Sequence, residues 1–222
     1  MSADAATAAA TKRKCLIIWN NEFKDKKPNV DFDYGAEKFS LTFKKLEFDV
    51  CDQNTKNLTL DELIALVQEK RRQAAEVFVL IFLTRGNGQA FLCSDNKAIA
   101  VSYFLDQFNN KYCPGLKAKP KFFIFLNDSS DQEDISRLAV KMEDDSTKIR
   151  TYESIITFTC CFKNNEQANL CCDVLCKTFA NDANDEDIEE MTRRCVSKLM
   201  DKQLIPIVNM IGYSKRFHLR IP

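Results

Sequence analysis

The chain has 222 residues, with 32 basic and 32 acidic side chains and a formal net charge of zero. That balance argues against a nucleic-acid or membrane-surface binder, which carries a basic excess. The length fits one α/β domain with a sizeable core or two small ones, and 17 Phe residues supply apolar bulk. There is a single histidine, His218. Cys–His and Ser–His catalysis both place an imidazole beside the nucleophile, so most hydrolytic mechanisms are excluded unless His218 is the base. No run approaches the ~18 apolar residues of a membrane span, and residues 1–10 are small without a long apolar stretch. These features predict a cytoplasmic protein whose ten cysteines are mostly reduced thiols.

In chain order, residues 1–13 read as a short flexible tail. Cys15, Leu16, Ile17, Ile18 and Trp19 make a strand that Asn20 and Asn21 end, and the charged stretch 22–34, with Pro28, reads as a loop. Ala36, Phe39, Phe43 and Leu46 follow helical spacing, which predicts an amphipathic helix over 35–46. A second strand covers 48–51. Thr59 is a favourable N-cap, and Glu62 completes a capping box before the stripe Leu63, Ile64, Leu66 and Val67.

Residues 77–83 form the strongest apolar run and lead into the glycine turn 84–88. That turn lacks the Gly-Lys-Ser/Thr ending of a phosphate loop, so it reads as a plain turn. A helix is predicted over 98–108. The apolar run 122–126 then predicts a strand buried on both faces, followed by Asn127, Asp128, Ser129 and Ser130. In open α/β sheets chemistry sits where such strands end, so this turn is the first candidate site. Residues 131–152 alternate acidic and basic side chains and read as an exposed linker. A strand at 155–158, helices over 167–179 and 187–202, and the apolar segment 205–210 complete the chain. The repeated strand–helix alternation predicts a mostly parallel sheet with helices on both faces.

The order of these segments resembles the caspase family over nearly the whole chain. Leu58-Thr59-Leu60-Asp61-Glu62-Leu63 resembles that family's Leu-Thr-x-x-Glu-Ile helix start. Cys113-Pro114-Gly115-Leu116-Lys117-Ala118-Lys119-Pro120-Lys121 is similar to its Cys-Pro-Ser-Leu-x-Gly-Lys-Pro-Lys segment. Ile205-Pro206-Ile207-Val208-Asn209-Met210 resembles its Ile-Pro-x-Val-x-Met strand. The resemblance implies an α/β three-layer sandwich with about six mostly parallel strands. It divides one domain into a tail (1–13), a large-subunit-like region (14–131), an intersubunit linker (132–152) and a small-subunit-like region (153–222).

The same resemblance carries the family's chemistry onto altered positions. Thr84-Arg85-Gly86 stands where the family has Ser-His-Gly, so Arg85 replaces the general base. Phe125-Leu126-Asn127-Asp128-Ser129 stands where it has Gln-Ala-Cys-Arg-Gly, so Asn127 replaces the nucleophile and Phe125 a substrate-binding glutamine. Asp33 falls where an arginine would hold the substrate aspartate. A guanidinium does not accept a proton near neutrality, so the resemblance implies a pseudocaspase without catalysis.

The expected role is regulation of an active caspase by heterodimerisation through Ile205, Pro206, Ile207, Val208, Asn209 and Met210, with allosteric activation in apoptosis. The alternative is a decoy that sequesters a caspase or occupies inhibitor-of-apoptosis proteins; trimming after Asp4 would expose Ala5 for the latter. A homodimer through the same strand is a further option. Asp145 is a candidate processing site in the linker. The close cysteines Cys160, Cys161, Cys171, Cys172 and Cys176 read as buried small hydrophobes rather than zinc ligands, so no metal or other cofactor is expected. No nucleic-acid or membrane partner is expected.

Overall fold

A computed structural model describes residues 13–24, 29–130, 135, 139–140, 152–212 and 217–219. Nine strands are present among them: β1 (Arg13–Trp19), β2 (Asp49–Cys51), β3 (Val77–Arg85), β4 (Ala90–Leu92), β5 (Ala98–Ala100), β6 (Lys121–Asp128), β7 (Ala139–Val140), β8 (Ile155–Phe162) and β9 (Ile207–Ile211). Five α-helices accompany them: α1 (Asp33–Lys45), α2 (Leu60–Lys70), α3 (Val101–Gln107), α4 (Asn165–Asp182) and α5 (Ile188–Met200).

Six strands form the main sheet in the order β2-β1-β3-β6-β8-β9. All neighbours run parallel except β8 and β9, which are antiparallel. Every residue of β3 and of β6 is buried, as their continuous apolar runs require. Successive side chains alternate between the two faces. Ile81, Leu83, Ile124 and Leu126 pack on one face with Phe39 and Phe43 of α1, Leu175 and Phe179 of α4, and Met191 and Leu199 of α5. Phe82 and Phe125 pack on the other with Leu63 and Val67 of α2 and Phe104 of α3. The result is a three-layer α/β sandwich with helices on both faces, as the segment order predicts. No helix among the described residues is long and apolar enough to cross a membrane.

Local signals explain several boundaries. Thr59 caps α2 with both halves of the capping box formed, its hydroxyl accepting from Glu62 N and Glu62 accepting from Thr59 N. Asn164 and Asp187 cap α4 and α5 with one bond each, accepting from Gln167 N and Glu190 N. Gly86, at the end of β3, permits a close approach: a Cβ there would lie 2.7 Å from both Ala90 O and Asn127 Oδ1.

Three expectations need correction. Residues 98–100 are not the start of a helix but strand β5, and α3 begins at Val101. The span 132–152 is not purely linker, because β7 lies inside it and joins β5 and β4 in a second, three-stranded sheet. The terminal strand starts at Ile207 and reaches Ile211, so Ile205 and Pro206 precede it. Residues 217–219, around His218, form no strand. The candidate cleavage site Asp145 and the tail 1–12 lie outside the described residues.

Burial pushes the thiols of Cys93 and Cys176 up to about 12 and that of Cys195 up to about 11. Cys15, Cys171 and Cys172 are raised in the same direction. An unfolded thiol gives up its proton near pH ~8.5 while these folded ones keep theirs, so stability is full below that pH and falls above it. Lys121 opposes the trend: burial lowers its ammonium to about 8, which favours the folded state as pH rises through 8. One lysine faces several thiols, so the urea midpoint is expected to be lower at pH 10 than at pH 7, as fluorescence-detected unfolding would show.

Candidate functional site

The candidate site sits where β3 and β6 end side by side. The ladder pairs Thr84 with Asn127 and Arg85 with Asp128. Directly paired residues of parallel strands share a face, and successive residues alternate. Arg85 follows Leu83 by two and Asp128 follows Leu126 by two, so both lie on the α1/α4 side of the sheet. Asn127 follows Phe125 and lies on the α2/α3 side. The sequence comparison sets Asn127 against Arg85 as nucleophile and base positions. The ladder instead sets Asp128 across from Arg85.

All three side chains are enclosed. Arg85 is 4% exposed, Asn127 0% and Asp128 2%. The Arg85 guanidinium lies over the ring of Phe23, 5.3 Å from its centroid. Phe23 in turn packs with Ala90, Leu92, Ala98 and Ile135, so the segment after β1 covers the end of β3. Asp128 Oδ1 accepts from Ser130 N at 2.9 Å and from Ser130 Oγ at 2.5 Å. Its Oδ2 and the Oδ1 of Asn127 are buried without a hydrogen-bond donor among the described residues.

Around them the strand ends are tied together by polar groups. Asn20 is fully buried and makes three ties: its Oδ1 accepts from Leu58 N, and its Nδ2 donates to Leu92 O and to Thr84 Oγ1. Thr84 Oγ1 itself donates to Leu92 O at 2.7 Å. Sequence reading treats Asn20 only as a strand terminator; a buried amide satisfied by three elements is a fastening point.

A thiol does stand beside this site, though not one that the sequence comparison singles out. Cys161 on β8 pairs in register with Asn127 and is half-buried. Burial pushes its thiol up to about 11, against a hydrogen bond from Asn127 that lowers it. At neutral pH it is therefore protonated, the unreactive form of a cysteine. His218 does not approach the site. Its Nδ1 lies 3.0 Å from Glu186 O, in the loop between α4 and α5. It borders a cavity of about 280 Å³ with Asp185, Glu186, Asp187, Glu189 and Glu190.

The two residues expected to mark a degenerate substrate pocket are not brought together. Asp33 is the exposed first residue of α1; its carboxylate accepts from Trp19 Nε1 at 2.7 Å and Lys56 Nζ at 2.9 Å. Burial raises that carboxyl, but the bonds from Lys56 and Trp19 outweigh it and hold it below its ordinary value. Phe125 is 0% exposed and stacks on Phe91, centroids 4.9 Å apart, on the sheet face opposite α1. Phe125 is therefore a core residue and not a pocket residue.

The apolar segment near the C-terminus behaves differently. β9 is an edge strand, hydrogen-bonded only to β8 within the main sheet. Ile205 is 75% exposed, Ile207 59% and Met210 41%, with Met200 at the end of α5 57% exposed. Val208 packs against the core and Asn209 Nδ2 donates to Thr157 Oγ1 at 3.3 Å, while Pro206 is buried. Among the described residues no group of three or more His, Cys, Asp or Glu side chains is placed to hold a metal ion. Cys160, Cys171, Cys172 and Cys176 all lie in the core between β8 and the helices α4 and α5.

The placement of Asp33 and Phe125 separates their energetic roles. Phe125→Ala is expected to destabilise the protein by about 3–5 kcal/mol, the cost of emptying an aromatic site in a packed core. Asp33→Ala is expected to cost about 1 kcal/mol or less, because its partners are exposed. Equilibrium urea unfolding of both variants checks this; equal effects would contradict the assignment of Phe125 to the core.

The family profile described as "Caspase domain" matches residues 12–217. A solved structure of pro-sf-caspase-1 superposes with a TM-score of 0.77 at 16% identity, covering 100% of this chain and 97% of that one. At that identity the likeness carries the fold alone. No curated protein matches the sequence. With a profile that spans almost the whole chain and the three-layer fold in place, the chain belongs to the caspase family.

Proposed function

We propose that this caspase-family chain cleaves no peptide, and that it regulates a catalytically active caspase by pairing with it through β9. The observation that carries the proposal is the contrast between two ends of one sheet system. The strand ends of β3 and β6 are closed, while the edge strand β9 presents Ile207 and Met210 to solvent beside Ile205.

Peptide hydrolysis of the cysteine type needs a thiolate and a proton acceptor within reach of a substrate carbonyl. Arg85, Asn127 and Asp128 include neither a thiol nor an imidazole, and each is at least nine-tenths buried. The choice between Asn127 and Asp128 as the counterpart of the family's cysteine does not alter this, since neither is a thiol. An exposed apolar edge strand is an association hazard unless a partner covers it. Pairing along β9 extends the sheet by main-chain hydrogen bonds, with the exposed isoleucines and Met210 supplying apolar contact.

The partner is an active caspase, and the setting is apoptosis. Whether binding raises or lowers activity follows from which state of the caspase the surface prefers, since a ligand shifts an equilibrium only by its differential affinity. Allosteric activation is the proposed direction, because supplying a dimer interface favours the ordered state of an enzyme that dimerises to become active. Sequestration is the opposite outcome of the same contact.

Purified protein alone is expected to leave aspartyl peptides intact. Mixed with individual active caspases, it is expected to form a complex on gel filtration and to change peptide cleavage. Ile205→Asp with Ile207→Asp is expected to weaken that complex at least about tenfold, because each replaces an apolar contact with a desolvated charge. Absence of any complex with every caspase tested, together with unchanged cleavage, would sink the proposal.

A further inference from the structure

A cleft of about 430 Å³ opens at the N-terminal end of β1 and β3, the end opposite the closed strand-end site. Its volume falls among those of small-molecule sites, roughly 300–1,000 Å³. It is lined by Leu16, Val50 and Phe78 and by charged groups of both signs: Lys14 and Lys70, Asp49 and Asp52. Cys51, at the end of β2, lies in the same cleft.

Three observations set this thiol apart. Of the ten cysteines, all free, eight are buried and only Cys51 and Cys161 are half-buried. Cys161 is held protonated by its burial, pushed up to about 11. Cys51 instead shares the cleft with two ammonium groups, and that of Lys70 donates to Glu69 Oε1 at 2.9 Å. The second ammonium, Lys14 Nζ, donates to Gln73 Oε1 at 2.9 Å. An ammonium has three donors, so this bond leaves capacity for a carboxylate.

We propose that this cleft binds a low-molecular-weight disulfide that carries both carboxylates and an ammonium group, and that Cys51 forms a mixed disulfide with it. The carboxylates face Lys14 and Lys70, and the ammonium faces Asp49 and Asp52. In the exchange, Cys51 Sγ loses its proton and attacks one sulfur of the ligand. The ligand's S–S bond breaks as the new S–S bond to Cys51 forms, and the departing thiolate takes up a proton. Cys51 is oxidised and the departing half of the ligand is reduced to a thiol, so no further oxidant is needed.

The test uses the intact chain and two disulfides, glutathione disulfide and the uncharged hydroxyethyl disulfide. Adducts are located by mass spectrometry of unreduced peptides, and each rate is referenced to that of a free cysteine peptide. The first adduct is expected on Cys51 and is absent in Cys51→Ser. Glutathione disulfide is expected to react about tenfold faster than the uncharged reagent, the margin that two half-exposed ion pairs supply. Lys14→Gln with Lys70→Gln is expected to remove that margin. A first adduct on Cys161 or any other thiol, or equal referenced rates for the two reagents, overturns the proposal. The rate ratio is read on the unaltered protein, so the outcome does not depend on whether the lysine variants fold.

Discussion

Everything in this fold hangs on the parallel pairing of β3 and β6. Both strands are buried along their whole length, and each has a strand on either side and a helical layer above and below. A backbone so enclosed must satisfy its hydrogen bonds within the ladder, and its side chains must fill two cores at once. The aromatic residues meet that demand on the α2/α3 side, where Phe82, Phe91, Phe104 and Phe125 form one set of ring contacts. At its start β6 carries the buried Lys121, whose ammonium donates to Leu116 O at 3.0 Å and Lys119 O at 2.8 Å. At its end stand Asn127 and Asp128. The column of apolar side chains is thus closed by polar groups at both ends, and the chemistry of the far end is set by how these groups are enclosed.

Much of this was legible in the sequence, and the reasons differ by element. The runs in β3 and β6 are long and apolar enough to declare strands, and the strand read at 155–158 is the first half of β8. Thr59 and Glu62 announced α2 through a capping box whose two bonds are local. The strands β4, β5 and β7 were illegible because they have three, three and two residues. Such pieces are shorter than the roughly four to eight residues over which an alternation can be read. The fate of Phe125 was illegible for a different reason. A strand buried on both faces has no apolar–polar alternation, so nothing in its sequence says which residues face which layer. Only the ladder register shows that Asp128 meets Arg85 and that Phe125 belongs to the core.

The enclosed strand ends also show why residue types alone mislead at such a site. Asn127, Asp128, Ser129 and Ser130 look in sequence like a polar turn awaiting a ligand. In the fold, Asn20 and Thr84 spend their hydrogen bonds on Leu58, Leu92 and each other, and Arg85 lies over Phe23. These are bonds that fasten β1, β3, β4 and the entry to α2 to one another. A buried polar group is costly unless partnered, so a network of this kind is retained for the arrangement it specifies. The two acceptors without a donor among the described residues, on Asn127 and Asp128, mark where that fastening is incomplete.

The two edges of the main sheet differ in a way that bears on association. β2 ends the sheet with three residues, Asp49 exposed among them, and shortness with charge is one of the devices that keep an edge from pairing. β9 has five residues and no charged side chain, with Ile207 and Met210 exposed. Its antiparallel partner β8 is buried but for Cys161, so the sheet is rigid up to its last strand. A rigid, apolar and uncharged edge lowers the entropic cost of adding another strand, because little must be ordered on association. The asymmetry makes the β9 edge better suited to accept a further strand than the β2 edge, with its mixed charges and half-buried thiol.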